Sequence, residues 1–165
     1  MSLANVKAQA EVVSSLMGRW CIDPDRVFFA GHSDGGTVST LLAVLPETRG
    51  TARGIAVSAA GILPLDTQAM GCPASPMKVW LMHGQHDAHF PGYGQQMARW
   101  WSQCFRCVGE GAAPDAPGCR RYADCGANEL EFCEGPHGHM KWPGLESEML
   151  DFFLAQRRID SRGRE

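Results

Sequence analysis

The stretch RVFFAGHSDGGTV, Arg26 to Val38, limits the fold more than any other part of the chain. Its opening apolar run suits a strand buried on both faces, as in a parallel sheet. The run passes directly into Gly31-His32-Ser33-Asp34-Gly35-Gly36, and an apolar pattern resumes through Leu45 and stops at Pro46. A strand, a glycine turn and a helix in immediate succession form the first half of a parallel crossover unit. Strand and helix nearly collide behind such a turn, so small residues are expected two positions before and two after Ser33. The free N–H groups at the start of the helix favour negative charge at the same spot.

The rest of the chain repeats this alternation. Residues 4–20 read as a helix, with Val6, Val13, Leu16, Met17 and Trp20 on one face, and Pro24 breaks it. Segments 54–61 and 77–84 are apolar strands, 92–104 a helix, 105–128 a loop and 129–135 a strand. Residues 144–158 form an amphipathic helix with Leu145, Met149, Phe152 and Phe153 on one side. This order predicts an α/β three-layer sandwich with a mainly parallel sheet. No repeat or linker divides the chain, so residues 1–165 read as a single domain. A hydrophobic share of 44% and a charged share of 20% fit a globular protein, and a net charge of −3 gives no sign of a nucleic-acid partner. No apolar run approaches the ~20 residues of a membrane helix, and MSLANVKAQAEVV has no signal-peptide core.

Sites in open parallel sheets form at the carboxyl ends of strands. The first strand ends at Ser33, within a Gly-x-Ser-x-Gly pentapeptide that matches a nucleophile elbow. The third ends at HGQHDAHFPG, which carries Asp87. The fourth ends at EGPHGHMKWPG, which carries His137 and His139. Asp66 and Asp115 are rival carboxylates, but neither follows a strand so closely. Ser33, Asp87 and His139 are spaced 54 and 52 residues apart (87 − 33 and 139 − 87), in Ser…Asp…His order. His83, His86 and His89 crowd the acid segment without clean metal-ligand spacing and are expected at the surface. Of Trp100 and Trp101, at least one is expected in the core, and an exposed partner would line a groove.

IDPDRVFFAGHSDGGTVSTLLA, WLMHGQHDAHFPG and GCRRYADCGANELEFCEGPHGHMKWPG together resemble the α/β-hydrolase family that includes polyhydroxybutyrate depolymerases, feruloyl esterases and acetylxylan esterases. The resemblance covers roughly residues 4–155 and implies the C-terminal part of an α/β-hydrolase fold. It implies a serine esterase with Ser33 as nucleophile, Asp87 as orienting acid and His139 as base. Met140 and Lys141 both precede Trp142 where the family pattern has one residue, which keeps His137 as an alternative base. The Asp34 N–H would serve as an oxyanion donor, with His32 and Trp142 beside the substrate. The expected substrate is an ester, polymeric and plant-cell-wall esters included, with no cofactor and no metal. Competing readings are a truncated, non-catalytic binding remnant and a secreted serine peptidase. Family members carry strands ahead of the first helix seen here, so upstream sequence is expected to be missing. The RVFFAGH strand is then expected to expose an edge that invites self-association.

Seven cysteines, five of them between Cys104 and Cys133, suit a disulfide-stapled protein that is secreted or periplasmic. A zinc knuckle from Cys104, Cys107, Cys119 and Cys125 is disfavoured by the Cys-x5-Cys spacing of its second half. A redox-active Cys104-x-x-Cys107 is disfavoured because it lies at a helix end. The natural local pairs are Cys107 with Cys119 and Cys125 with Cys133. Cys21, Cys72 and Cys104 remain, and two of them can pair. Connectivity stays open at this level.

Overall fold

The computed structural model describes residues 3–48, 50–67, 71–109 and 118–155. Helix α1 (Leu3–Arg19) and a short 3-10 turn (Pro24–Arg26) lead into strand β1 (Phe28–His32). Helix α2 (Asp34–Val44) follows Ser33 directly. Next come β2 (Gly54–Ser58), a one-turn helix α3 (Pro64–Thr67), β3 (Lys78–Gly84) and α4 (Tyr93–Phe105). The chain continues through β4 (Cys119–Arg121), β5 (Glu129–Gly135) and α5 (Glu146–Leu154). The strands form one sheet in the order β1-β2-β3-β5-β4. β1, β2, β3 and β5 are parallel, and β4 runs antiparallel to β5. This is the α/β architecture expected from the sequence, a mostly parallel sheet flanked by helices.

The period-two alternation of the strands sorts their side chains into two cores. Ile55, Val57, Val79, Leu81, Leu130 and Phe132 pack on one face, with α2 and α4. Ala56, Trp80, Met82 and Cys133 face the other way, against Phe152 and Phe153 of α5. Trp100 and Trp101 are both buried in the core, so neither is left exposed to line a groove. Each such side chain contributes about 1.5–3 kcal/mol on full burial.

The structure corrects three further expectations. First, α1 buries only Val6, against Leu42 and Leu45. Leu16 and Trp20 are 45% and 69% exposed, so most of the apolar stripe on α1 has no core to meet among the described residues. Second, part of the 105–128 loop is strand β4, whose Arg120 and Arg121 hid it from an apolar pattern. Residues 110–117 of that loop, with Asp115, and the end of the last helix at 156–158 lie outside the described residues. Third, the disulfides are Cys72–Cys104, Cys107–Cys125 and Cys119–Cys133, with Cys21 free and exposed. The unrecognised β4 is the cause. It sets Cys119 directly opposite Cys133 across an antiparallel ladder, so neither Cys107–Cys119 nor Cys125–Cys133 can form. Three disulfides suit an oxidising compartment, and no helix among the described residues is long and apolar enough to cross a membrane.

Candidate active site

The parallel strands β1, β3 and β5 deliver three loops to one end of the sheet. Ser33 follows β1 and is the N-cap of α2, at φ 53 and ψ −116. A non-glycine residue there stores strain of order 1–3 kcal/mol, held by its surroundings. Its N–H donates to the Ser58 carbonyl (2.9 Å), and its own carbonyl accepts from the Thr37 N–H (3.0 Å). Gly31 lets strand and helix approach: a Cβ on it would lie 2.3 Å from the Gly35 carbonyl carbon. The requirement two residues after Ser33 is absent, because a Cβ on Gly35 meets nothing within 4 Å. The crowded helical glycine is Gly36, where a Cβ would lie 3.1 Å from the Gly31 and Ser58 carbonyl oxygens. Asp34 is the first residue of α2, so its backbone N–H has no acceptor within the helix.

Ser33 Oγ lies 2.9 Å from His139 Nε2, and His139 Nδ1 lies 2.9 Å from Asp87 Oδ2. An ionised carboxylate only accepts, so the hydrogen on His139 belongs on Nδ1, and Nε2 is free to accept from the serine hydroxyl. Asp87 is buried, and its Oδ1 accepts from the backbone N–H groups of His89 and Phe90, each at 2.9 Å. Burial pushes its carboxyl up, but the hydrogen bonds from His139, Phe90 and His89 outweigh that and hold it below the ordinary aspartate value.

His137 does not reach the serine. Its ring packs against the ends of β3 and β5, and its carbonyl accepts from the His86 N–H (3.1 Å). His32 lies beside His139, ring centroids 5.4 Å apart, with its Nδ1 3.2 Å from Ser58 Oγ. Burial lowers its pKa, against a backbone hydrogen bond with His139 that favours the protonated ring. Trp142 meets His32 edge-on at 6.2 Å and leans on the α5 core.

Sequence reasoning missed three neighbours. His83 is buried rather than at the surface, with Nε2 2.9 Å from the Phe90 carbonyl. Its place on the Val79–Leu81–His83 face of β3 was the available signal. Phe90 meets the His139 ring edge-on at 5.1 Å, and the exposed His89 stacks on it at 4.6 Å. Asp87, His89 and His139 each offer a ligand atom, all within 4.8 Å of one another, so these residues could hold a metal ion.

No protein-family model and no curated protein matches this chain. Solved structures do match. An acetyl xylan esterase from Aspergillus awamori superposes with a TM-score of 0.66 at 17% identity, covering 92% of this chain and 68% of the other. SOBER1 F65L from Arabidopsis thaliana gives 0.62 at 17% identity, covering 92% and 62%. Esterase PE8 gives 0.54 at 18% identity, covering 90% and 60%. This chain therefore spans about two thirds or less of the length of these structures, and the likeness is one of fold.

Proposed function

We propose that this chain carries the catalytic residues of a serine carboxylic ester hydrolase of the α/β-hydrolase type. The observation that carries the reading is the unbroken Ser33–His139–Asp87 hydrogen-bond chain, set on a strained residue at a helix start. Two of the structural neighbours are named esterases, which agrees with it and favours neither a peptidase nor a non-catalytic remnant. Ser33 Oγ attacks the ester carbonyl while His139 Nε2 takes its proton. The negative oxygen that forms is met by the Asp34 N–H, a donor type whose loss costs ~10²–10³-fold in rate. His139 then returns the proton to the departing alcohol, and water, activated by the same imidazole, releases the acid. Asp87 keeps the ring in the productive tautomer and stabilises the imidazolium.

The acyl groups within this reading are hydroxyalkanoyl, feruloyl and acetyl, and plant-cell-wall and polymeric esters fall within the range. Residues 1–165 are read as one domain. Three disulfides favour a secreted or periplasmic setting. The test is Ser33→Ala against p-nitrophenyl acetate and p-nitrophenyl butyrate. Turnover should fall to the uncatalysed background, and an alanine variant as fast as the parent overturns the assignment.

A further inference from the structure

We propose that Asp87, His89 and His139 form a binding site for a soft divalent metal such as Zn²⁺, and that its occupation switches off the base. The blocking half of this inference rests on the serine-hydrolase reading; the site itself does not.

Two imidazoles and one carboxylate are a donor set that zinc takes as three protein ligands plus one open position. Zinc–ligand bonds of about 2.0–2.1 Å put tetrahedral ligand atoms about 3.3 Å apart. The three donor atoms already lie within 4.8 Å of one another. Asp87 and His139 are preset. The carboxylate is anchored by two backbone N–H groups, and the His139 ring is packed against Phe90. Only His89 must turn inward: its ring stacks on the His139 ring at 4.6 Å, and its exposed side chain has room to turn. The mechanism leaves the His89 imidazole idle, and nothing in the fold buries it. The other group of possible ligands, Cys119, Glu131 and Cys133, is a weaker candidate, because its two sulfurs are joined in a disulfide and offer no thiolate.

Binding at His139 Nδ1, the nitrogen that faces Asp87, stops the chemistry. A metal there takes the Nδ1 lone pair and moves the ring's single proton to Nε2, which then cannot accept from Ser33. The route needs no further reactant. Magnesium and calcium prefer oxygen ligands and should not compete.

Calorimetric titration with zinc chloride tests the site in the intact chain, in Ser33→Ala, in His89→Gln and in His86→Gln, an exposed neighbour on the same loop. One equivalent should bind to the parent, to Ser33→Ala and to His86→Gln. His89→Gln should bind more weakly by more than the ~10–100-fold that loss of a supporting hydrogen-bond partner costs. Parent turnover should fall in step with zinc occupancy, return with EDTA and ignore magnesium chloride. Absence of stoichiometric binding, or binding unchanged in His89→Gln, overturns the site. Full occupancy with undiminished turnover overturns the blocking role. A parent with no turnover in EDTA defeats the reading of Ser33 instead, and the calorimetry then decides the site alone.

Discussion

Asp87→Asn changes one atom at the centre of the site, and the structure fixes how the amide must lie. Asp87 Oδ1 accepts two backbone N–H groups, and Oδ2 faces His139 Nδ1. With the amide oxygen kept toward the loop, both of those bonds survive and the NH₂ group faces His139. The reverse orientation aims NH₂ at two backbone donors, and each donor left unsatisfied in a buried place costs about 1–3 kcal/mol. The first orientation therefore wins by about 2–6 kcal/mol. It makes His139 Nδ1 an acceptor and puts the ring's hydrogen on Nε2, facing Ser33 Oγ. His139 is then in the wrong tautomer to take a proton from Ser33 while every distance is preserved.

In the serine-protease triad, the same replacement drops turnover by ~10⁴, or about 5.5 kcal/mol of barrier. A loss of that order is expected here with p-nitrophenyl acetate, using Ser33→Ala as the floor. Circular dichroism should show an intact fold. Acid behaviour gives a second readout. The folded Asp87 pKa is depressed, so its contribution to stability is full above the unfolded value of ~3.9 and is lost as pH falls through the folded value. The asparagine variant should lack that part of the acid destabilisation. A folded variant within tenfold of parent turnover would refute the tautomer argument and, with it, the role given to Asp87.

Gly31→Ala should destabilise by about 1–3 kcal/mol or more and depress turnover, whereas Gly35→Ala, with open space around its Cβ, should be tolerated; equal melting temperatures would overturn this reading of the turn. Opening Cys72–Cys104, which spans 32 residues, with a double serine variant should cost ~3–4 kcal/mol in chemical denaturation, and a smaller loss would mean that the crosslink adds little beyond the packing. Peptide mapping should recover linked Cys107–Cys125 and Cys119–Cys133 peptides, and a Cys107–Cys119 link would contradict the strand pairing. Among the described residues nothing pairs with the outer edge of β1, which borders a groove of about 790 Å³ lined in part by Val12, Val13, Phe29 and Val38. Two copies should therefore pair edge to edge, and a monomer at every concentration in sedimentation velocity would refute this.

The parallel strands were legible because burial on both faces demands an apolar run, which 54–58 and 78–84 supply or nearly supply, while 129–135 alternates Leu130 and Phe132 with Glu129, Glu131 and Cys133 as a strand does. β4 was not legible. It is a three-residue strand carrying two arginines, and it exists because β5 offers an edge and Cys133 a partner. The α1 stripe misled for the opposite reason. Its periodicity is genuine, but periodicity states that a face is apolar and not that anything covers it. At the site, Ser33, Asp87 and His139 could be found because each closely follows a strand, which makes their convergence a matter of topology. His83 and His89 could not be told apart by type: the alternation of β3 puts His83 on the buried Val79–Leu81 face, whereas only the three-dimensional approach of two loops stacks the exposed His89 on His139.

The two histidines of Pro136-His137-Gly138-His139 divide their work in a way that explains the glycines around them. β3 and β5 are in register so that Gly84 is opposite Gly135, and both strands end at the same level. A Cβ on Gly84 would lie 2.1 Å from the His137 carbonyl oxygen, and one on Gly135 would lie 2.8 Å from the His137 ring. His137 therefore occupies a notch that exists only because both strands end in glycine. From that notch the loops are tied by Gln85 N–H to the Gly135 carbonyl (2.9 Å) and by His86 N–H to the His137 carbonyl (3.1 Å). These bonds set the height of the chain two residues before His139, and Asp87 is the next residue after His86. Asp87 and His139 are thus placed by one pair of backbone bonds at the top of a parallel ladder. The precision of the Asp87–His139 contact comes from sheet register, and a one-residue slip of β5 against β3 would remove it however well the loop sequence were kept.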